Sequence, residues 1–138
     1  LKCGSGWTGA MGDFDAFCYK VVFDKSNWDD ARANCQSAGG DLFSVTNAYE
    51  QRFLENFTNI ESWLGYRDQK AAGTWRWSDG SKYMTSSYTN WDERSPNNGG
   101  VTCAIVTKKG RWHDEQCQAK YSYICKKPSE SGQGNQGV

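Results

Sequence analysis

The chain has 138 residues, 16 basic and 16 acidic side chains for a formal net charge of zero, and 14% aromatic residues. That length suits one domain with a single core, and balanced charge removes the electrostatic basis for seeking phosphate backbones or anionic membranes. No apolar run approaches a membrane span, and no signal peptide is visible in the opening "LKCGSGW", so a soluble, mature or excised fragment is expected, its leader removed.

Six cysteines, Cys3, Cys18, Cys35, Cys103, Cys117 and Cys125, include no CxxC pair. An even count in a small chain without closely spaced pairs favours disulfides over a zinc site. The expected compartment is therefore oxidising, either secreted or the ectodomain of a cell-surface protein. Ser26 precedes "NWDDARANCQSAGG" with Asp29 three residues later, close to a capping box. Trp28, Ala31, Cys35 and Ala38 recur at helical spacing until Gly39-Gly40 stops the run. "DLFSV" is short and apolar enough for a strand. A second helix follows, with Asn47 as cap, Glu50 three residues on, and Phe53, Leu54 and Phe57 as its apolar stripe. "ENFTN" places a glycosylation sequon at Asn56.

Beyond Ile60 the pattern changes to short runs rich in Trp, Tyr, Val and Ile, namely "SWLGYRD", "TWRWSDG", "CAIVTKK", "RWHDEQC" and "YSYICKK". Turn-forming residues separate them. From Asp79 to Gly100 aliphatics are few, which predicts a long irregular loop of the kind that carries function. The tail from Pro128, "PSESGQGNQGV", is polar and Gly-rich and reads as a linker or loose end. No internal repeat is present. Residues 1–127 are thus expected to form the domain and residues 128–138 a flexible tail.

Taken in order, these segments resemble the C-type lectin-like domain. Trp63-Leu64-Gly65-Tyr66 is similar to the family's central Trp-Ile-Gly-Leu strand, and "WRWSDG" at Trp75–Gly80 to the segment after it. Asn90-Trp91 precedes a proline loop, and "WHDEQC" at Trp112–Cys117 resembles the family's Trp-Asn-Asp strand ending in its inner cysteine. The resemblance covers Cys3 to about Lys127. It implies an α+β fold, with two helices packed on antiparallel sheets, a long irregular loop and three disulfides. It also implies the pairing Cys35–Cys125, Cys103–Cys117 and, as the extra hairpin of the long form, Cys3–Cys18.

In sugar-binding members the resemblance implies a calcium cage, and that ion takes about six to eight oxygens. Residues flanking a cis-proline, an acid before the first inner cysteine and an Asn-Asp pair on the next strand supply them. Pro96 is present, Asn97 matches the mannose-type half of the pattern, and Asp114 stands where the strand aspartate belongs. Ser95 is too short for its position, Val101 offers no oxygen, and His113 puts an imidazole where a hard cation wants an amide. A second site keeps Asp68 but meets Ala72 and Asn98 where carboxylates are expected. The implied cage is therefore largely dismantled, and no cofactor is expected. Two further readings of these residues stay open. Asp92, Glu93, Asn97, Asn98 and Asp114 could form a rearranged cage, with Asp68 as a further candidate ligand. Alternatively Asn97, Asn98 and His113, with a stacking Trp or Tyr, could bind sugar without metal.

Each signal has a plainer counterpart. His113 is the only histidine and adjoins Asp114 and Glu115, yet no nucleophile or second imidazole accompanies it in a recognised catalytic spacing. It reads as a strand residue at the rim of the loop. Asp114 could be a remnant ligand or simply pair with a loop amide. Trp63, Trp75, Trp77 and Trp112 read as core, and Trp91 as the anchor of the loop base. Tyr83, Tyr88 and Arg94 read as exposed, and Lys108-Lys109 as a solvated β-turn. The expected function is extracellular recognition of a glycan or a protein through the long-loop face. Catalysis, nucleic-acid binding and direct membrane insertion are not expected. Candidate ligand-binding residues are Glu93, Asn97, Asn98, His113 and Asp114. Calcium-dependent mannose-type binding at Ser95-Pro96-Asn97 is the alternative.

Overall fold

The computed structural model describes residues 3–9, 17–57, 59–68, 74–82, 88–97 and 100–129. Among them the elements run β1 (Thr8–Gly9), β2 (Phe17–Ser26), α1 (Trp28–Ser37), β3 (Asp41–Leu42), α2 (Ala48–Phe57), β4 (Ser62–Asp68), β5 (Trp75–Trp77), β6 (Thr102–Val106), β7 (Trp112–Gln116) and β8 (Tyr121–Pro128). The strands join in the order β1-β2-β8-β4-β6-β7, with β3 beside β8 and β5 beside β4. The expectation of purely antiparallel sheets needs one correction, because β4 and β8 pair in parallel, Ser62 opposite Ser122. The last strand inserts between β2 and β4, and its antiparallel register with β2 fixes its direction. "DLFSV" is strand only at Asp41–Leu42, although Phe43, Ser44 and Val45 are buried as well.

Both faces of the sheet are covered, so its central strands show no polar alternation. Trp63, Ile105 and Tyr123 pack with Trp28, Ala31 and Cys35 of α1. Their strand neighbours Leu64, Val106 and Ile124 pack with Leu54 of α2, Phe43 and Trp112. Period-two alternation thus serves two cores. The three fully buried tryptophans also find partners for their indole N–H groups. Trp28 donates to Leu64 O at 2.9 Å, Trp63 to Ser26 O at 2.8 Å and Trp112 to Gln51 Oε1 at 3.2 Å.

The cap of α1 is Asn27, not Ser26: Asn27 Oδ1 accepts from Asp30 N at 2.8 Å. Ser26 is held in β2 opposite Tyr121, and this shifts the cap by one residue. The helix stops as expected. Gly39 has φ +95°, and at Gly40 a side chain would meet Lys126 O at 2.1 Å, so only glycine lets the chain lie against β8. In α2, Glu50 N donates to Asn47 Oδ1 at 2.9 Å, the expected cap.

The Glu50 side chain does more than cap. It is buried, with Lys126 Nζ at 2.7 Å, Tyr19 Oη donating to it at 2.7 Å, Thr46 N at 3.0 Å and the Thr46 hydroxyl also donating. Lys126 in turn donates to Ser44 O at 3.2 Å and Ser44 Oγ at 3.0 Å. Burial, followed by the charge and hydrogen bond of Glu50, pushes the Tyr19 phenol well above its usual range.

The three disulfides pair as the resemblance implied: Cys3–Cys18, Cys35–Cys125 and Cys103–Cys117. Strand β8 carries Pro128 opposite Phe17, and Ser129 is buried. Residues 130–138 lie outside the described part. No helix among the described residues is long and apolar enough to cross a membrane.

Candidate functional site

The long loop returns to the sheet along β7, which ends the strand order. Trp91 forms a parallel bridge with Trp112: Trp112 N donates to Asn90 O at 2.8 Å and Asp92 N to Trp112 O at 2.7 Å. Two side chains reinforce the join, Asn90 Nδ2 to Gly110 O at 2.9 Å and Arg111 Nη2 to Trp91 O at 2.6 Å. Beneath lies a floor of aromatic rings. Trp91 meets Trp75 at 4.8 Å and Trp112 at 6.0 Å, while Tyr66 stacks on Trp77 at 4.2 Å. Burial raises the Tyr66 phenol pKa. Trp91 anchors the loop base as expected, but it and Trp75 are only half-buried. Tyr88 departs from its reading as an exposed residue. It is half-buried, with its ring edge-on to Trp112 at 5.8 Å, because the aromatic floor offers a better surface than water.

Asp92 begins a tight turn in which its carboxylate accepts from Glu93 N at 2.7 Å and its carbonyl from Ser95 N at 2.9 Å. The Ser95–Pro96 peptide bond is cis. Ser95 Oγ lies 2.7 Å from His113 Nδ1, and His113 Nε2 lies 2.9 Å from Glu115 Oε2. A carboxylate only accepts, so Nε2 carries the hydrogen, and in the neutral ring Nδ1 takes the Ser95 hydroxyl. Two residues on, Asn97 N donates to Asp114 Oδ1 at 3.0 Å. Side chains alternate along a strand, so the loop holds β7 through His113 on one face and through buried Asp114 on the other. Beyond Glu115, the Tyr121 phenol is pushed up to about 12 by burial, then by the charge of Glu115 and its hydrogen bond, and by Glu61.

The structure therefore gathers Ser95, Asn97, His113 and Asp114, and leaves the other expected site residues elsewhere. Glu93, Arg94, Pro96 and Asn97 are exposed on the loop, and exposed Val101 follows it. Asp92 spends its carboxylate on the turn. Asp68 is buried on β4, opposite Trp75 and Thr102. Asn98, Ala72 and Tyr83 lie outside the described residues. Among the described residues no three His, Cys, Asp or Glu side chains meet as a metal-binding group. The donors that converge on β7 are a hydroxyl, an imidazole and two carboxylates, Asp114 bonded to a backbone amide and Glu115 to the imidazole. That set matches poorly an ion that wants about six to eight oxygens.

Sequence reasoning missed the roles of Ser95, Glu115, Asn90 and Arg111. For Ser95 a signal existed, since it and His113 depart from the cage pattern together. For Glu115 the signal is its place two residues from His113, on the same face of a strand. Nothing local marks Asn90 and Arg111, whose partners are set by chain return. The reading that His113 has no nucleophile beside it is also corrected, because Ser95 arrives from the loop.

Comparisons with known proteins agree with this architecture. The family model described as Lectin C-type domain matches residues 24–127. C-type lectin domain family 4 member M of Symphalangus syndactylus is 37% identical over 131 residues, covering 92% of this chain and 30% of that protein. The chain spans about a third of the length of the first curated relatives it matches, 32%, 30% and 32% in three cases. Among solved structures, a calcium-independent type II antifreeze protein superposes with a TM-score of 0.79 at 30% identity, covering 92% of this chain and 95% of that one. The carbohydrate-recognition domain of mouse Scavenger Receptor C-type Lectin gives 0.79 at 28% identity, covering 93% and 99%. With its helices, mixed sheet, disulfide frame and proline loop in the family's order, this chain belongs to the C-type lectin domain family.

Proposed function

We propose that the chain is an extracellular recognition domain that binds a glycan or protein ligand through the face formed by residues 91–97 and β7, and that it does so without calcium. One observation carries the reading. Ser95 and His113, which stand at two positions of the family's cage, are hydrogen-bonded to each other at 2.7 Å. A loop so anchored presents its side chains without needing an ion to order it. Glu93 and Asn97 remain exposed to meet a ligand, with Asn98 beside them in sequence. His113 and Asp114 serve beneath, since both ring nitrogens and one carboxylate oxygen are engaged. The related proteins described as lectins and carbohydrate-recognition domains favour a sugar. The antifreeze relative described as calcium-independent favours a metal-free reading.

Ser95, His113 and Glu115 line up like the relay of a hydrolase, but acyl transfer also needs donors for the oxyanion. Ser95 N is bonded to Asp92 O, Pro96 has no N–H, and Asn97 N is bonded to Asp114. The relay therefore positions the loop, and no catalysis is assigned to it.

The test is retention on an immobilised glycan panel, with calcium and with chelator, alongside amide NMR during calcium titration. Chelator-insensitive retention with unmoved Asn97, Val101 and Asp114 resonances is the expected result. Mannose retention released by chelator, with those resonances saturating at about millimolar calcium or below, would replace it with the calcium-dependent alternative. No retention on the panel moves the ligand to the protein class.

An extracellular setting also implies a modification. Asn56 is exposed in the last turn of α2, its Nδ2 donating to Arg52 O at 3.0 Å, and the sequon continues through Phe57 and Thr58. Secretion from an animal-cell host is expected to add an N-linked glycan there, seen as a mass that a glycosidase removes and that Asn56→Gln lacks. Unmodified wild-type mass would remove this assignment.

A further inference from the structure

We propose that Ser95, His113 and Glu115 act as a protein-built clamp that holds the recognition loop in shape at any calcium level. This rests on the loop face being the binding face, and it names the positioning residues of that face.

The geometry is specific. Each residue alone merely fails as a calcium ligand, being too short at Ser95 and a nitrogen donor at His113. As a pair they fit, with Oγ and Nδ1 2.7 Å apart. Glu115 completes the arrangement from two residues along the same strand, 2.9 Å from Nε2. Positions 113 and 115 share one face of β7, so the carboxylate fixes both ring orientation and tautomer, and this leaves Nδ1 bare for the serine hydroxyl. On the opposite face Asp114 takes Asn97 N at 3.0 Å. The Ser95-Pro96-Asn97 step is therefore gripped from both sides of an edge strand. Among the described residues the bonds of Asn90, Asp92 N and Arg111 hold Trp91 at the base, and the Asp92 turn ties Ser95 N to Asp92 O within the loop without joining it to β7.

The experiment uses the full chain, 15N-labelled, at one neutral pH. His113 is the only histidine, so its ring nitrogens can be read without ambiguity. A hydrogen on Nε2 and a bare Nδ1 are expected. Amide hydrogen exchange at Asn97 then compares wild type, Ser95→Ala, His113→Ala and the double variant, with and without calcium. Each single variant is expected to speed exchange about tenfold, in line with loss of one or two modest hydrogen bonds. The double variant should add little to either, because both break one contact. His113→Asn, whose amide oxygen lies close to where Nδ1 was, should restore most of the protection in chelator. A general loss of packing would not be rescued in this way, and the unfolding midpoint of each variant separates the two cases. A ring carrying its hydrogen on Nδ1, exchange unaffected by His113→Ala, or calcium-dependent protection of wild type would each overturn the clamp. Failure to retain any glycan would leave these readouts untouched, so the clamp and the ligand assignment fail separately.

Discussion

Lys126→Met is expected to destabilise the fold by about 3–5 kcal/mol, the usual cost of stripping one partner from a buried ion pair. Lys126 and Glu50 are each about 95% shielded from solvent, with Nζ and Oε2 2.7 Å apart. The methionine would leave the Glu50 carboxylate with the hydroxyls of Tyr19 and Thr46 and one backbone amide, but no counter-charge. It would also strip Ser44 O of its ammonium donor. Glu50→Gln is expected to cost less, because the amide keeps an acceptor for some of those donors while leaving the ammonium uncompensated. In the double variant the losses should be far from additive, since each single change destroys the same pair. Urea unfolding with disulfides intact measures all three. Single effects under about 1 kcal/mol that sum in the double variant would mean that water reaches the pair and screens it.

The second large effect belongs to the widest disulfide. Removing Cys35–Cys125 as a double alanine variant should cost about 4–5 kcal/mol in the chain-entropy model, because its residues lie 90 apart. Cys103–Cys117 spans only 14, and the same model gives about 3 kcal/mol. The sulfurs of both bridges sit in the core with Trp28 and Trp63, so either loss also opens a cavity and loop length is what separates them. The ordering of the two losses, measured by urea midpoints, is the sharper prediction. If the short bridge costs as much as the wide one, residual structure in the unfolded chain outweighs loop length.

The separation between what was legible and what was not follows interaction range. The Asn47 cap on Glu50 was readable because it closes within three residues. The cap of α1 was misplaced by one residue because Ser26 is claimed by β8 and by the Trp63 indole, neither of which a local pattern reveals. Glu50 looked like an ordinary capping acid, and its burial arises only when β8 brings Lys126 across the sheet. Tyr88 looked like a loop side chain in solvent until the tryptophans gathered beneath it. In the site, Pro96, Asn97 and Asp114 could be located from their motif, and Ser95, Val101 and His113 recognised as poor calcium ligands. Their joint departure from the cage pattern is visible along the chain, but the contact between Ser95 and His113 is not.

The sequence by itself determined the family, the disulfide partners implied by it, both helices and the position of the proline loop. The helices and the loop depend on side-chain types at set spacings, where local propensity leaves few alternatives, whereas the disulfide pairing came only with the family resemblance. Tertiary structure alone decided the parallel seam between β4 and β8, the buried Glu50–Lys126 pair and the hold of Ser95 on His113. Each joins residues from separate parts of the chain, and a hydrogen bond or ion pair acts over a few ångströms. Its existence is settled only when the chain's return places the two groups within that reach.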